Sequence, residues 1–212
     1  MQSLDPCGPN LAGELVAAAA AAAREGRRWT AAVSPSAVDA GTAAALAAAG
    51  GFGPNAHLFV ADTRFDAGGR DAAEVRALLN ALPLERQRIH LDVAGIADPW
   101  RAAAAYEQEL RAFFGLAVGD LPRFDVVVLR IATCGNLAGL ADDSSALGET
   151  SRIAAVNRTT GGGRFVTLTP PVIASACRVL VAACPESAAR RPARGIPGRL
   201  VDAPNATLLV QQ

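Results

Sequence analysis

Residues 123–142, RFDVVVLRIATCGNLAGLAD, gather a thiol, a glycine, an amide and a pair of acids within one short stretch. Cys134 could act as a nucleophile if a helix begins beside it, because a helix N-terminus favours the thiolate; an inert buried thiol is the other reading. Asn136 can donate from its amide to an oxyanion, but it has no useful proton affinity near neutral pH and cannot serve as a base. Asp142 and Asp143 read as a solvated turn or helix cap, with metal binding as the alternative. The elements around these groups decide what they can do. Asp125 precedes the apolar run 126–129, whose length and β-branched content predict a strand buried on both faces. Thr133-Cys134-Gly135-Asn136 is turn-prone, and the apolar pattern resumes at Leu137, Ala138 and Leu140, which predicts a helix. Ligands of open α/β sheets sit beyond the carboxyl ends of such strands, so residues 132–137 are the first place to look for a site.

Composition narrows the chemistry further. The chain holds twenty arginines and no lysine, which removes Schiff-base and lysine general-base mechanisms. Twenty acids balance those arginines, so no global field draws the protein to nucleic acid or to an anionic membrane. Cys7, Cys134, Cys177 and Cys184 form no CxxC pair and no metal-ligand spacing, which fits a reduced, cytoplasmic protein needing no metal and no cofactor. No basic-then-apolar leader is present, and no stretch has the ~18–20 suitably apolar residues of a membrane span. With 212 residues, 51% of them hydrophobic, the chain is expected to form a single α/β domain over residues 1–212, after an irregular lead-in at 1–10.

Taken in order, the pattern predicts a helix over 11–25, a strand over 29–33, and a strand-to-helix turn at Ser34-Pro35-Ser36 capped by Ser34 or Ser36. A second helix follows over 38–49, then strands at 57–60 and 88–90 flanking a helix over 71–82. Asp98 is the N-cap of a helix running to Phe114, with Pro99 in its first turn and Ala103, Tyr106 and Leu110 on its buried stripe. Further strands are expected at 153–156, 164–169, 178–183 and 206–210, with a short helix begun by Pro170-Pro171. His57 and His90 read as structural histidines, and Arg190, Arg191 and Arg194 as solvated cations.

Several of these stretches resemble one family. FDVVVLRIATCGNLAGL is similar to the signature of the 6-phosphogluconolactonases, a strand of type FDLVLLG followed by GPDGHTASLF, within the superfamily that includes glucosamine-6-phosphate deaminases. DTRF at 62–65 resembles the family's DERFVP, AAYEQEL at 104–110 its AAxxYxxxL helix, and RFVTLT at 164–169 its RITLT. The resemblance runs over about residues 11–210. It implies a three-layer α/β/α sandwich with a mostly parallel, twisted sheet, of the glucosamine-6-phosphate deaminase and CoA-transferase type. It implies carbohydrate chemistry on a sugar phosphate in the pentose phosphate route, with Asn136 and Asp62 in the catalytic positions and Ser34, Ser36, Arg64, Gly135 and Arg164 about the substrate. Against the family pattern, Asn136 replaces the histidine thought to act as base, Cys134 the loop aspartate, Arg130 the strand-end glycine and Thr63 a glutamate. Pro35 and Ser36 replace two phosphate-loop glycines, and Ser187 replaces a phosphate-binding lysine. Two expectations follow: a lactonase with rearranged groups, using Asp62 as base, or a non-catalytic paralogue that binds a sugar phosphate or serves as an assembly or regulatory subunit. The second leaves room for a protein partner or a homo-oligomer.

Overall fold

The computed structural model describes residues 8–65, 82, 84–85, 88–90, 96–158, 163–190, 192 and 195–210. The expected helix over 71–82 (but for Leu82), Cys7, Arg191 and Arg194 lie outside them. Strands β1 (Trp29–Val33), β2 (Ala56–Val60), β4 (Ile89–His90), β5 (Val126–Arg130), β8 (Arg178–Ala183) and β9 (Ala206–Val210) form one sheet in the order β4-β2-β1-β5-β8-β9. Every pairing in it is parallel. A parallel sheet needs both faces covered, and β5 shows why this sequence complies. Val126, Val127, Val128 and Leu129 are each at most 2% exposed, a burial worth roughly 1.5–3 kcal/mol per side chain. Strands β3 (Asp62–Phe65), β7 (Arg164–Leu168) and β6 (Ala154–Arg158) form a second, antiparallel sheet in that order.

The α-helices among the described residues are α1 (Gly8–Arg24), α2 (Ala40–Ala48), α3 (Pro99–Phe114), α4 (Pro170–Ser175), α5 (Pro185–Ala189) and α6 (Gly195–Val201). Helix α1 begins three residues earlier than the pattern predicts, taking up part of the expected lead-in. Right-handed crossovers, the rule for such units, put α2 on one face of the parallel sheet and α3 and α6 on the other, because the steps from β1 to β2 to β4 run one way along the sheet and those from β4 to β5, β8 and β9 run back. Helix α3 is built as the sequence predicts: the Asp98 carboxylate accepts from Trp100 N–H at 2.9 Å, and Gly115, at φ 65°, closes it. Ala103, Tyr106 and Leu110 are buried. Tyr106 Oη donates to Val60 O at 2.7 Å, tying this helix to the corner where β2 gives way to β3.

Two local expectations are corrected. Helix α2 starts at Ala40, and its cap is Asp39, whose carboxylate accepts from Thr42 N–H at 2.7 Å. Ser34 instead heads a 3-10 turn over Pro35–Ala37 and makes no side-chain cap. No helix follows β5. Gly135, Ala138 and Gly139 have φ of 92°, 49° and 73°, so the backbone turns repeatedly where a helix would need negative φ. Leu137 and Leu140 are buried through a bridge to each other, and Leu137 through another to Ile131. Their spacing imitates a helical stripe but serves a folded loop. No helix among the described residues is long and apolar enough to cross a membrane.

Candidate functional site

Strands β1 and β5 are neighbours whose connections leave in opposite directions, which opens a crevice beyond their carboxyl ends. Ser34 lies at the end of β1, buried, with its N–H donating to Val128 O at 2.8 Å. Its hydroxyl hydrogen-bonds Asp62 Oδ1, the first residue of β3. Asp62 is 8% exposed. Burial pushes its carboxyl up to about 6, and the Ser34 hydrogen bond opposes that rise only in part. A buried acid brought into the range of cellular pH is a mark of functional sites.

Alternation along β3 puts Asp62 and Arg64 on one face and Thr63 on the other. The register with β7 and β6 extends the first face through Thr167, Phe165 and Asn157. That face meets the loop after β5: Asn157 Nδ2 donates to Gly139 O at 2.6 Å and to Ser144 Oγ at 3.0 Å, and Gly139 lies so close to the Phe165 ring that a Cβ there would be 2.9 Å from it. Arg64 is exposed on the site-facing side. Arg164 pairs with Phe65 and Arg158 on the opposite face, the one toward α3, where the Arg158 guanidinium lies 5.1 Å from the centre of the Trp100 ring. The fold therefore brings Ser34, Asp62 and Arg64 together and leaves Arg164 away from them. Ser36 is exposed, and the group it turns to the crevice is its carbonyl, which accepts from Arg130 Nη1 at 2.9 Å.

The loop after β5 is pinned by hydrogen bonds from Ile131 N to Ala182 O, Ala132 N to Asn136 O and Gly135 N to Ala132 O. Gly135 is required there: a Cβ would sit 2.7 Å from the Arg190 carbonyl oxygen. Arg190 Nη1 in turn donates to Thr133 O at 3.2 Å. Asn136 is half-buried in a cleft of about 230 Å³ lined also by Cys134, Gly135, Asp142, Arg190 and Pro197. Cys134 is exposed, which corrects the expectation of a buried thiol, and it stands at no helix start. Asp62 is not among the residues that line this cleft.

At the end of β8, Ser187 is fully buried and serves the first turn of α5: its hydroxyl accepts from Cys184 N at 3.0 Å and donates to Cys184 O at 3.1 Å. The Cys184 thiol donates to that hydroxyl at 3.3 Å and is held below its ordinary range, by Ser187 first and by the charge of Arg130 to a lesser degree. Sequence reasoning missed this pair and missed Asn157, whose one signal is an amide inside an otherwise strand-forming run. It also missed what the chain's two histidines do. His57 Nδ1 is 3.1 Å from His90 Nε2, and His90 Nδ1 is 2.8 Å from Glu109 Oε1. This chain of contacts lies along the β2–β4 edge, with His57 at the start of β2, the end remote from Asp62. Burial lowers His57, with the charges of His90, Arg28 and Arg88 adding to it.

The strand order and the layered helices define an open α/β protein with a mostly parallel sheet. The pattern of the family described as glucosamine-6-phosphate isomerases/6-phosphogluconolactonase matches residues 7–196, and the chain belongs to that family. A protein of Synechocystis sp. named 6-phosphogluconolactonase is 31% identical over 121 residues, 55% of this chain and 50% of that one. Another of that name from Nostoc sp. is 31% identical over 141 residues, 65% of this chain and 58% of that one. The chain thus matches little more than half the length of these relatives. Solved 6-phosphogluconolactonases share the fold: that of Trypanosoma cruzi superposes with a TM-score of 0.74 at 18% identity, over 96% of this chain and 90% of that one. The Trypanosoma brucei enzyme gives 0.72 at 18% identity, over 98% and 97%.

Proposed function

We propose that the protein is a sugar-phosphate-binding member of its family, related to the 6-phosphogluconolactonases of the pentose phosphate route, in which lactone hydrolysis has fallen to the uncatalysed rate. One observation carries this reading. The chain has two histidines, and both are tied into the His57–His90–Glu109 chain on the β2–β4 edge of the sheet, with His90 on the edge strand two places from β1, so neither imidazole stands at the β1–β5 crevice to take a proton. Asn136, on the loop where the family resemblance places its histidine, offers an amide that donates to a ligand oxygen but cannot activate water. The family's fold and crevice remain, with Ser34, Arg64 and Gly135 about the ligand.

A second reading, hydrolysis with Asp62 as the base, is favoured by the carboxyl held at about 6 beside a serine hydroxyl. Its burial and its absence from the lining of the Asn136 cleft weigh against it. Calorimetric titration with 6-phosphogluconate, the stable acid product of the lactone, tests the binding claim. Saturable binding with a dissociation constant in the roughly 1 μM–1 mM range in which enzymes hold metabolites is expected. Absence of any saturable signal at millimolar ligand would overturn it.

A further inference from the structure

We propose that Arg130 is the residue that holds the phosphate monoester of the ligand in the crevice between β1 and β5. Arg130 ends the central strand, half-buried, at the point where the sheet's connections reverse. Its Nη1 reaches across to the carbonyl of Ser36 in the turn after β1. In the β5–β8 pairing Arg130 stands opposite Ala182, near the end of β8. The guanidinium therefore stands among the carboxyl ends of three adjacent strands, which is the centre of the crevice.

Its partners are what make it a receptor. A guanidinium carries five N–H donors, and the hydrogen bond to Ser36 uses one of them. No carboxylate pairs with Arg130 among the described residues, and it differs from other arginines in standing at the carboxyl end of the central strand, held there by the Ser36 carbonyl. A half-buried cation without a counter-ion is costly, and an incoming anion offsets that cost. A phosphate monoester carries about −1.5 to −2 charge at neutral pH and matches the planar fork bidentately, with the Ser36 carbonyl fixing the orientation of the fork. The choice of a sugar phosphate as the anion rests on the function proposed above; the anion site itself rests on Arg130.

The test is titration of wild type, Arg130→Met and Arg130→Lys with 6-phosphogluconate, with gluconate and with inorganic phosphate, after thermal melts have shown each protein folded. Arg130→Met should weaken 6-phosphogluconate binding roughly 10- to 100-fold and leave gluconate unchanged, and Arg130→Lys, which keeps the charge but not the fork, should fall between. Equal binding of 6-phosphogluconate by wild type and Arg130→Met would overturn the assignment while sparing the sugar-phosphate reading. Phosphate binding that Arg130→Met loses, without 6-phosphogluconate binding by wild type, would overturn that reading and uphold the anion site. Binding of neither by wild type would overturn both.

Discussion

Replacing Gly135 with alanine is expected to destabilise the protein by roughly 2–4 kcal/mol and to displace the Asn136 loop. Two costs add at this position. The backbone sits at φ 92°, which an L side chain tolerates poorly, and the new Cβ would lie 2.7 Å from the main-chain carbonyl of Arg190. A carbonyl of the backbone cannot rotate away as a flexible side chain can. Relief must come from moving residues 132–136 or the segment after α5, which the Arg190–Thr133 contact holds together. Gly119 provides the control, with φ at 90° and open space around the position a Cβ would take. Gly119→Ala should cost only the backbone penalty, about 1–2 kcal/mol, and denaturant unfolding of both variants separates the two contributions. Equal losses would mean that the close approach to Arg190 is not a constraint.

Asp62→Asn should change the pH dependence of stability more than its value at any one pH. The folded protein raises this carboxyl from an ordinary 3.8 to about 6, so over that window the folded state binds the proton more tightly than the unfolded chain does. Stability from this group is fully present below the unfolded value and is lost as pH rises through about 6, a change of about 3 kcal/mol. The amide of the variant does not ionise, so its stability relative to wild type should rise by about 2.5 kcal/mol between about pH 4 and pH 8, whatever constant penalty the amide brings. Urea unfolding across that range measures the difference. A flat difference would show that Asp62 ionises in the folded protein as freely as in the unfolded chain. A carboxyl kept ionisable at a cost to folding is common where function needs it, and Ser34 beside it belongs to the same arrangement.

What could be read in the sequence was what local pattern dictates. The run Val126 to Leu129 announces a buried strand by its composition alone, and Asp98 with Pro99 announces the start of α3, because a cap is a contact between near neighbours. The failures are contacts between residues far apart in the chain. Ser34 looks like a helix cap until Asp62 claims its hydroxyl, which leaves the cap to Asp39. Leu137 and Leu140 have helical spacing, but three residues of positive φ around them make a folded loop. Arg164 opens a strand that resembles the family's, yet which face it occupies depends on the pairing of β7 with β3, and that pairing sets it beside Phe65 on the face away from Asp62. Arg130 reads as the loss of a glycine, and only the fold shows that its side chain spans the crevice to Ser36.

The central claim is that binding persists without hydrolysis, and the most direct measurement is the rate at which purified protein consumes 6-phosphogluconolactone beside the spontaneous rate in the same buffer. Wild type is expected to leave the spontaneous rate unchanged, because both histidines are held on the β2–β4 edge and Asn136 cannot take a proton. Acceleration well above that rate, lost in Asp62→Asn, would contradict it and make the buried carboxyl the base.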